Sequence, residues 1–309
     1  MILSITLNPC VDRTLFVDGL NVHDANRVLR CETDAGGKGI NAARIIAELG
    51  VPAVATGFLG GRMGRYVQIV LDDENVATDF VKVAAETRLN ISVEDGTGMP
   101  PTTFNQKGSK VSEQELSELD GVIRSRISGC KYATAGGSLL PDIEPGIYGK
   151  MVELARSSGV PMAVDADGEA LKNVLEAKPF LVKPNKDEAE RLLGLEIEGL
   201  RSAVTAAKKI REMGAEVAIV SMGSEGAALA SDSICLIAEP PNIDAKSTIG
   251  AGDSMVGGFL AGLYKGLNVQ EAFRLGAAAG AATASTDGSE IGRKDVIEEL
   301  LPEVLIRTV

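Results

Sequence analysis

A chain of 309 residues, 45% hydrophobic and 24% charged, has the make-up of a soluble globular protein and is long enough for one large domain with an appendage. Its 43 acidic and 31 basic residues give a formal charge of −12, and no window forms a basic tract, which argues against nucleic acid as a partner. A protein this acidic must bind phosphates with individually placed Lys, Arg, backbone amides and metal.

In chain order, Met1 to Leu7 alternates, with Leu3, Ile5 and Leu7 on one side and Ser4 and Thr6 on the other, which predicts a strand that Asn8-Pro9 breaks. Lys38 to Leu49 predicts a helix closed by Gly50. Strands are expected at Val54–Phe58 and Asp79–Val83, with a helix at Arg65–Asp73 between them. The alternation continues with helices at Glu113–Ser125, Gly149–Ser157, Asp187–Leu193 and Ser202–Met213, and strands at Tyr132–Thr134, Pro161–Asp165, Phe180–Lys183 and Val217–Ser221. Short strands at Gly226–Ala230 and Ile234–Ala238 precede helices at Asp253–Tyr264, Gln270–Ala284 and Lys294–Leu300. Such an order argues for a mostly parallel sheet with helices on both faces. Residues 10–34 and 86–108 break the rhythm with strand-like composition and no helix, which predicts a small β-sheet lid on a core formed by 1–9, 35–85 and 109–309.

Four dispersed cysteines, Cys10, Cys31, Cys130 and Cys235, show neither zinc spacing nor a disulfide framework, so reduced thiols and a cytoplasmic location are expected. The N-terminal stretch lacks a basic segment with a cleavage site, and no apolar run reaches membrane-spanning length. The lone His23, between Val22 and Asp24, reads as a surface loop residue, which disfavours a multi-His metal centre or a His-activated nucleophile.

The segment Ser247-Thr-Ile-Gly250-Ala-Gly-Asp253 carries the most chemistry. Gly250, Ala251 and Gly252 can close their backbone N–H groups around an anion at the positive end of the following helix. Asp253 can then accept a proton from a substrate hydroxyl while the amides stabilise charge on a transferring phosphoryl group. The same residues also fit an ordinary loop with an Asp cap. A second glycine cluster, Ala35-Gly36-Gly37-Lys38-Gly39-Ile40-Asn41, opens another helix; its glycines let a ligand lie against the backbone, and the Asn41 amide can bond sugar hydroxyls. No Gly-x-Gly-x-x-Gly follows the first strand and no Gly-x-x-x-x-Gly-Lys-Ser/Thr occurs, which excludes a dinucleotide-binding dehydrogenase and a P-loop NTPase.

Taken together, these two segments resemble both signature segments of the ribokinase-like (PfkB) carbohydrate kinases, and the resemblance extends over nearly the whole chain. It points to the phosphosugar branch, which includes 1-phosphofructokinases, tagatose-6-phosphate kinases and the minor type of 6-phosphofructokinase. For the fold it implies a Rossmann-like three-layer α/β core with a β-sheet lid, often a homodimer interface. For the activity it implies transfer of a phosphoryl group from ATP to a phosphorylated ketohexose with Mg²⁺. The opening Thr6-Leu-Asn-Pro9 with Asp12 is similar to that branch, and Asp12 would bind sugar hydroxyls. Lys183-Pro-Asn185-Lys-Asp-Glu188 looks like the family's Asn-x-x-Glu motif beside the ATP phosphates, whose Asn and Glu act on Mg²⁺ through water. Ser221-Met-Gly223-Ser-Glu-Gly226 resembles the family's strand-end loop at the nucleotide. Ser247, Ile249 and Gly288 stand where relatives often hold K⁺.

Thr87-Arg88-Leu-Asn90 looks like the Thr-Arg-x-Asn of phosphosugar kinases, with Arg88 offering a planar fork to a phosphate dianion and Lys107 and Arg27 as further candidates. Phe104-Asn-Gln-Lys-Gly108 resembles the 1-phosphofructokinases more than the 6-phosphate enzymes of the branch, a resemblance that implies fructose 1-phosphate as substrate. Where the family has Ser-Gly-Ser-Leu-Pro-x-Gly, this chain has Ala135-Gly-Gly-Ser138-Leu-Leu-Pro141; Ser138 still stands to meet the sugar phosphate, while the altered turn bears on substrate preference. The remaining alternatives are tagatose 6-phosphate, fructose 6-phosphate or an unphosphorylated sugar or nucleoside as acceptor, or a non-catalytic sugar-phosphate sensor.

Overall fold

The computed structural model describes residues 1–98 and 101–309; Met99 and Pro100, within the expected lid segment, lie outside the described residues. The chain begins with β1 (Ile2–Thr6), β2 (Cys10–Val17), β3 (Val28–Gly36), α1 (Lys38–Glu48), β4 (Ala53–Gly60), α2 (Gly61–Asp73), β5 (Ala77–Thr78) and β6 (Val81–Val83). Next come β7 (Arg88–Glu94), β8 (Thr102–Phe104), α3 (Glu113–Ile127), β9 (Tyr132–Gly136), α4 (Ile147–Ser157), β10 (Met162–Asp165), α5 (Gly168–Glu176), β11 (Leu181–Val182) and α6 (Lys186–Leu193). The last part comprises α7 (Gly199–Glu212), β12 (Val217–Ser221), β13 (Ala227–Ala230), β14 (Cys235–Glu239), α8 (Ala251–Tyr264), α9 (Val269–Ala284), α10 (Lys294–Leu300) and β15 (Leu305–Thr308).

One large sheet runs in the order β15-β14-β13-β12-β11-β10-β9-β1-β4-β5, with β6 paired to the end of β4. From β12 to β5 its strands are parallel, whereas β13, β14 and β15 form an antiparallel margin. Two hydrophobic layers sandwich it. Leu119 and Ile123 of α3, Tyr148 of α4, Val174 of α5 and Ile210 of α7 pack on one face. Ile45 of α1, Leu71 of α2, Phe259 of α8, Phe273 of α9 and Ile297 of α10 pack on the other. A separate four-stranded sheet, β3-β2-β7-β8, lies within the two segments that interrupt the alternation except at β3, which runs two residues past the expected boundary at 34 because Ala35 and Gly36 pair with Val11 and Cys10.

Coverage on both faces explains where the structure departs from the sequence pattern. The alternation in β1 suggests a half-exposed strand, yet every residue from Ile2 to Thr6 is buried. Ser4 and Thr6 face α1 rather than water, and Ser4 Oγ donates to Gly39 O at 2.6 Å. Helix α2 begins four residues before the expected Arg65, because Glu86 Oε1 accepts from the otherwise orphaned Met63 N–H at 2.7 Å. Helix α5 and strand β15 lie outside the sequence expectations. Helix α5 carried a legible signal: Asp167 caps it through a 2.6 Å bond from Gly168 N, and Leu171, Val174 and Leu175 form its buried face. Strand β15 has no comparable local cause, since only pairing with β14 makes it a strand. All four cysteines are free, and no helix among the described residues is long and apolar enough to cross a membrane.

Candidate active site

The parallel strands end along one rim of the sheet, and the chemistry-bearing residues are set at those ends: Asn8 beyond β1, Ser138 beyond β9, Asp165 closing β10, Lys183 beyond β11 and Ser221 closing β12. The starts of α1 and α8 meet them there. A cleft of about 570 Å³ is bounded by Lys38, Asp165, Lys183, Glu188 and the 250–253 turn. Ligands of open α/β sheets collect at such a rim.

At the turn, Gly250 adopts φ 75°, a left-handed conformation that favours glycine, and α8 begins at Ala251. A side chain at Gly252 would come within 2.8 Å of Lys183 Nζ, so the bare Cα lets that ammonium lie against the turn, and a Cβ there would displace the end of the lysine side chain. Of the three amides expected to cradle an anion, Ala251 N–H is directed at Thr248 O at 3.4 Å, while those of Gly250 and Gly252 have no hydrogen-bond partner among the described residues. The Asp253 side chain, in the first turn of α8, accepts a 2.8 Å bond at Oδ2 from Asn41 Nδ2. Burial, followed by the negative charge of Asp165, pushes the Asp253 carboxyl up to about 7 against the opposing effects of Lys38, Asn41 and Lys183. Asn41, expected to meet a sugar hydroxyl, is thus engaged by the carboxylate, and its Oδ1 is buried with no partner among the described residues.

Asp165 is the principal site residue that sequence reasoning missed. Its Oδ1 lies 2.7 Å from Lys38 Nζ and its Oδ2 3.2 Å from Lys183 Nζ. Burial disfavours its charge, but Lys183 and Lys38 outweigh that and hold its carboxyl below the usual range. Burial likewise opposes the Lys38 charge, and the carboxylates of Asp165, Asp253 and Glu188 more than offset it, so Lys38 stays protonated. The result is a run of alternating charge at the glycine turn, buried at Asp165 and Lys183 and half-buried at Lys38 and Asp253.

On the nucleotide side, Asn185 and Glu188 form a capping box for α6: Asn185 Oδ1 accepts from Glu188 N at 2.9 Å and Glu188 Oε2 accepts from Asn185 N at 2.8 Å. Both line the cleft, and Glu188 is buried rather than solvated, with Oε1 3.8 Å from Lys38 Nζ. Asn185 bridges in parallel to Ser221, and Gly223 and Gly226 flank the next turn along the same wall. The apolar part of the cleft lining was also missed: Pro240, which lies against Gly226, Pro241 and Ile243 line it together with Ala277, Gly280 and Ala281 of α9. The run Gly276-Ala-Ala-Ala-Gly-Ala-Ala282 was its signal, since a helix face without bulk leaves a slot.

On the lid side, Asp12 Oδ1 accepts from Asn90 Nδ2 at 2.9 Å, and Oδ2 fills the space a side chain at Gly36 would need, next to Gly37 and the α1 start at Lys38 and Gly39. Arg88 donates through Nη1 to Gln106 O at 2.8 Å and through Nη2 to Asn8 O at 3.1 Å. Ser138 is exposed beside Lys38, its Oγ accepting from Asn8 Nδ2 at 3.1 Å. Lys107 contributes its carbonyl to Asn8, and its residue is exposed. Arg27 does not join this group. It precedes β3 at the far end of the β2–β3 hairpin, and Asp12 pairs five positions before Val17, which places Arg27 roughly 17 Å along the strands from Asp12.

Among the described residues no group of three or more His, Cys, Asp or Glu is arranged to hold a metal. Asn185 Oδ1 and Glu188 Oε2 each accept one bond of the helix cap, which leaves a second lone pair on Asn185 Oδ1 and, among the described residues, Glu188 Oε1 free of a hydrogen bond. Such a donor set fits Mg²⁺ held mostly by water and substrate phosphates, not an all-protein cage. Of the residues expected near K⁺, Ser247 and Ile249 are joined by a 3.2 Å bond from Ile249 N to Ser247 Oγ. Gly288 instead packs against the lid at Glu32 and Thr14.

An open α/β sheet with a glycine-rich helix start next to a half-buried carboxylate, accompanied by a second small sheet, has the equipment of a phosphoryl-transfer enzyme. The model of the pfkB family carbohydrate kinases matches residues 5–295. The 1-phosphofructokinase of Bacillus subtilis (strain 168) is 36% identical over 306 residues, covering 99% of each chain. The phosphofructokinase-2 of Escherichia coli, solved in complex with substrates and products, superimposes with a TM-score of 0.89 at 30% identity over 98% of each chain. The same enzyme in complex with potassium gives 0.88 at 30% identity over 98% of each chain. The protein therefore belongs to the pfkB family of carbohydrate kinases, phosphotransferases whose acceptor is a sugar hydroxyl.

Proposed function

We propose that this kinase transfers the γ-phosphoryl group of ATP to a ketohexose monophosphate, with fructose 1-phosphate as acceptor and fructose 1,6-bisphosphate as product. The carrying observation is Asp253, a half-buried carboxylate with a raised pKa in the first turn of α8, next to the Gly250 and Gly252 amides that have no partner among the described residues. The C6 hydroxyl of the sugar attacks the γ-phosphorus in line. Its proton passes to Asp253, the bond to the ADP oxygen breaks, and the amides of Gly250 and Gly252, with Lys38 and Lys183 nearby, stabilise the charge. Glu188 and Asn185 would hold Mg²⁺ through water, and the ion would supply neutralisation of phosphate charge. The apolar slot against α9 suits a nucleobase, and Ser221, Gly223 and Gly226 line the adjoining path.

Arg88, with Asp12, Asn90 and Ser138, supports a phosphorylated sugar as acceptor, and the relative named 1-phosphofructokinase supports fructose 1-phosphate. The altered 137–141 turn and the likeness to a phosphofructokinase-2 keep fructose 6-phosphate and tagatose 6-phosphate as the second reading. The four-stranded sheet acts as a lid that excludes water from the phosphoryl group and serves as the homodimer interface. A K⁺ ion beside Ser247 and Ile249 and a cytoplasmic location, fitting four free thiols, complete the reading. The test is an ADP-coupled assay with Mg-ATP and K⁺ comparing kcat/KM for fructose 1-phosphate, fructose 6-phosphate, tagatose 6-phosphate, fructose and ribose. Fructose 1-phosphate is expected to lead. Turnover of unphosphorylated sugars alone would refute the role given to Arg88, and binding without turnover would make the protein a sensor.

A further inference from the structure

We infer that Asn8 is the positioning residue of the phosphosugar pocket, fixing Arg88, the 106–108 segment of the lid and Ser138 in one register; this rests on the phosphosugar reading above. Asn8 lies where the connections of the large sheet diverge, since β1 is flanked by β4 on one side and by β9 on the other. Crevices at such switch points are where ligands bind. Asn8 is buried, and its Nδ2 donates to Lys107 O at 2.9 Å and Ser138 Oγ at 3.1 Å, with Leu139 O at 3.5 Å. Its own carbonyl accepts from Arg88 Nη2 at 3.1 Å. One short side chain and its peptide thus join three segments distant in sequence, each of which contributes a candidate for the sugar phosphate.

The path continues on the lid. Arg88 Nη1 donates to Gln106 O, Gln106 N donates to Asn90 Oδ1 at 3.2 Å, and Asn90 Nδ2 donates to Asp12 Oδ1 at 2.9 Å. Gln106 Oε1 also accepts from Leu89 N at 3.0 Å, locking the loop to the strand that carries Arg88. A guanidinium has five N–H donors, and neutral carbonyls take two of them without cancelling its charge. Arg88 is therefore aimed while remaining a full cation for a phosphate dianion. Asn8 is the one member that reaches both the core at Ser138 and the lid at Lys107, so it sets the separation of the two sides.

The experiment measures KM for fructose 1-phosphate and for ATP, and the preference for fructose 1-phosphate over fructose, in the wild type, Asn8→Ala and Gln106→Ala. Asn8→Ala keeps the carbonyl that receives Arg88 and removes both strong Nδ2 bonds; it is expected to raise KM for fructose 1-phosphate ~10-fold, with KM for ATP changed less than ~2-fold. Gln106→Ala, at an exposed position, removes only the bond from Leu89 N and is expected to raise the same KM ~3-fold; if Asn8→Ala does not fold, Asn8→Ser, which likewise loses the Nδ2 bonds and keeps the carbonyl, decides the matter by the same readout. Parallel changes in both KM values, or no change in either, would overturn the role of Asn8. A wild type with no preference for the phosphorylated sugar would instead overturn the phosphosugar reading, whatever the variants do.

Discussion

A carboxylate that takes up a proton near neutral pH must be drawn partly out of water without being paired by a cation, and half-buried Asp253 meets that condition because the cations beside it are already held by Asp165. With its pKa raised from 3.8 to about 7, kcat/KM is expected to fall about tenfold per pH unit below neutrality, as the base becomes protonated in the free enzyme. The stability sign is opposite to that of a salt-bridged carboxylate. Between about pH 4 and 7 the folded protein binds more protons at this group than the unfolded chain, so its contribution to folding is present at acid pH and lost as pH rises through about 7. Asp253→Asn should lower kcat ~10²–10⁴-fold with little change in ATP binding, and at pH 8 its urea midpoint should equal or exceed that of the wild type. A midpoint that fell along with activity would make Asp253 a structural residue. Asp165→Asn should do the reverse for stability, costing ~3 kcal/mol in urea unfolding, because it leaves two lysines without their shared anion. Losing the Asp165 charge also removes the second-largest cause of the raised Asp253 pKa, so the acid limb of the rate profile should move to lower pH; a limb that stayed put would separate the two carboxylates.

At the scale of elements, helix α6 does two jobs with the same residues. Its capping box satisfies two backbone donors, and the proposed metal role draws on the remaining oxygen of Glu188 and, through water, on the second lone pair of Asn185 Oδ1. Asn185→Ala is expected to cost ~1 kcal/mol in chemical denaturation and raise the Mg²⁺ concentration needed for half-maximal rate. Asn185→Ser restores a cap acceptor, so it should recover the stability but not the Mg²⁺ dependence; recovery of both would reduce Asn185 to a cap. This double use explains what was legible beforehand. The Asn185 to Glu188 spacing, the Gly250 to Asp253 turn and the alternation of strands and helices each have a local cause that a sequence displays. The Lys38–Asp165 pair spans 127 positions and was not legible, because an aspartate closing a strand looks the same with or without a lysine opposite. Arg27 failed for the complementary reason: its charge was visible, but its distance from Asp12 depended on the β2–β3 register.

For the whole molecule, the open question is what covers the lid. Its edge strands β3 and β8 expose Val28 at 48%, Leu29 at 71% and Phe104 at 59%, side chains that one buried face of a small sheet would not leave in water. A second copy of the chain is the proposed cover, and a stable dimer needs about 800 Å² from each partner. Sedimentation equilibrium at micromolar concentration is therefore expected to give twice 32.2 kDa. Leu29→Asp should shift that mass toward the monomer by placing a charge in the apolar contact. The same variant should raise KM for the phosphosugar more than KM for ATP, because Asp12, Arg88 and Asn90 stand on the lid while the nucleotide residues stand on the core. A wild-type mass of 32.2 kDa would remove the dimer and leave the exposed lid to another partner, while the chemistry assigned to Asp253, which lies wholly within one chain, would be untouched.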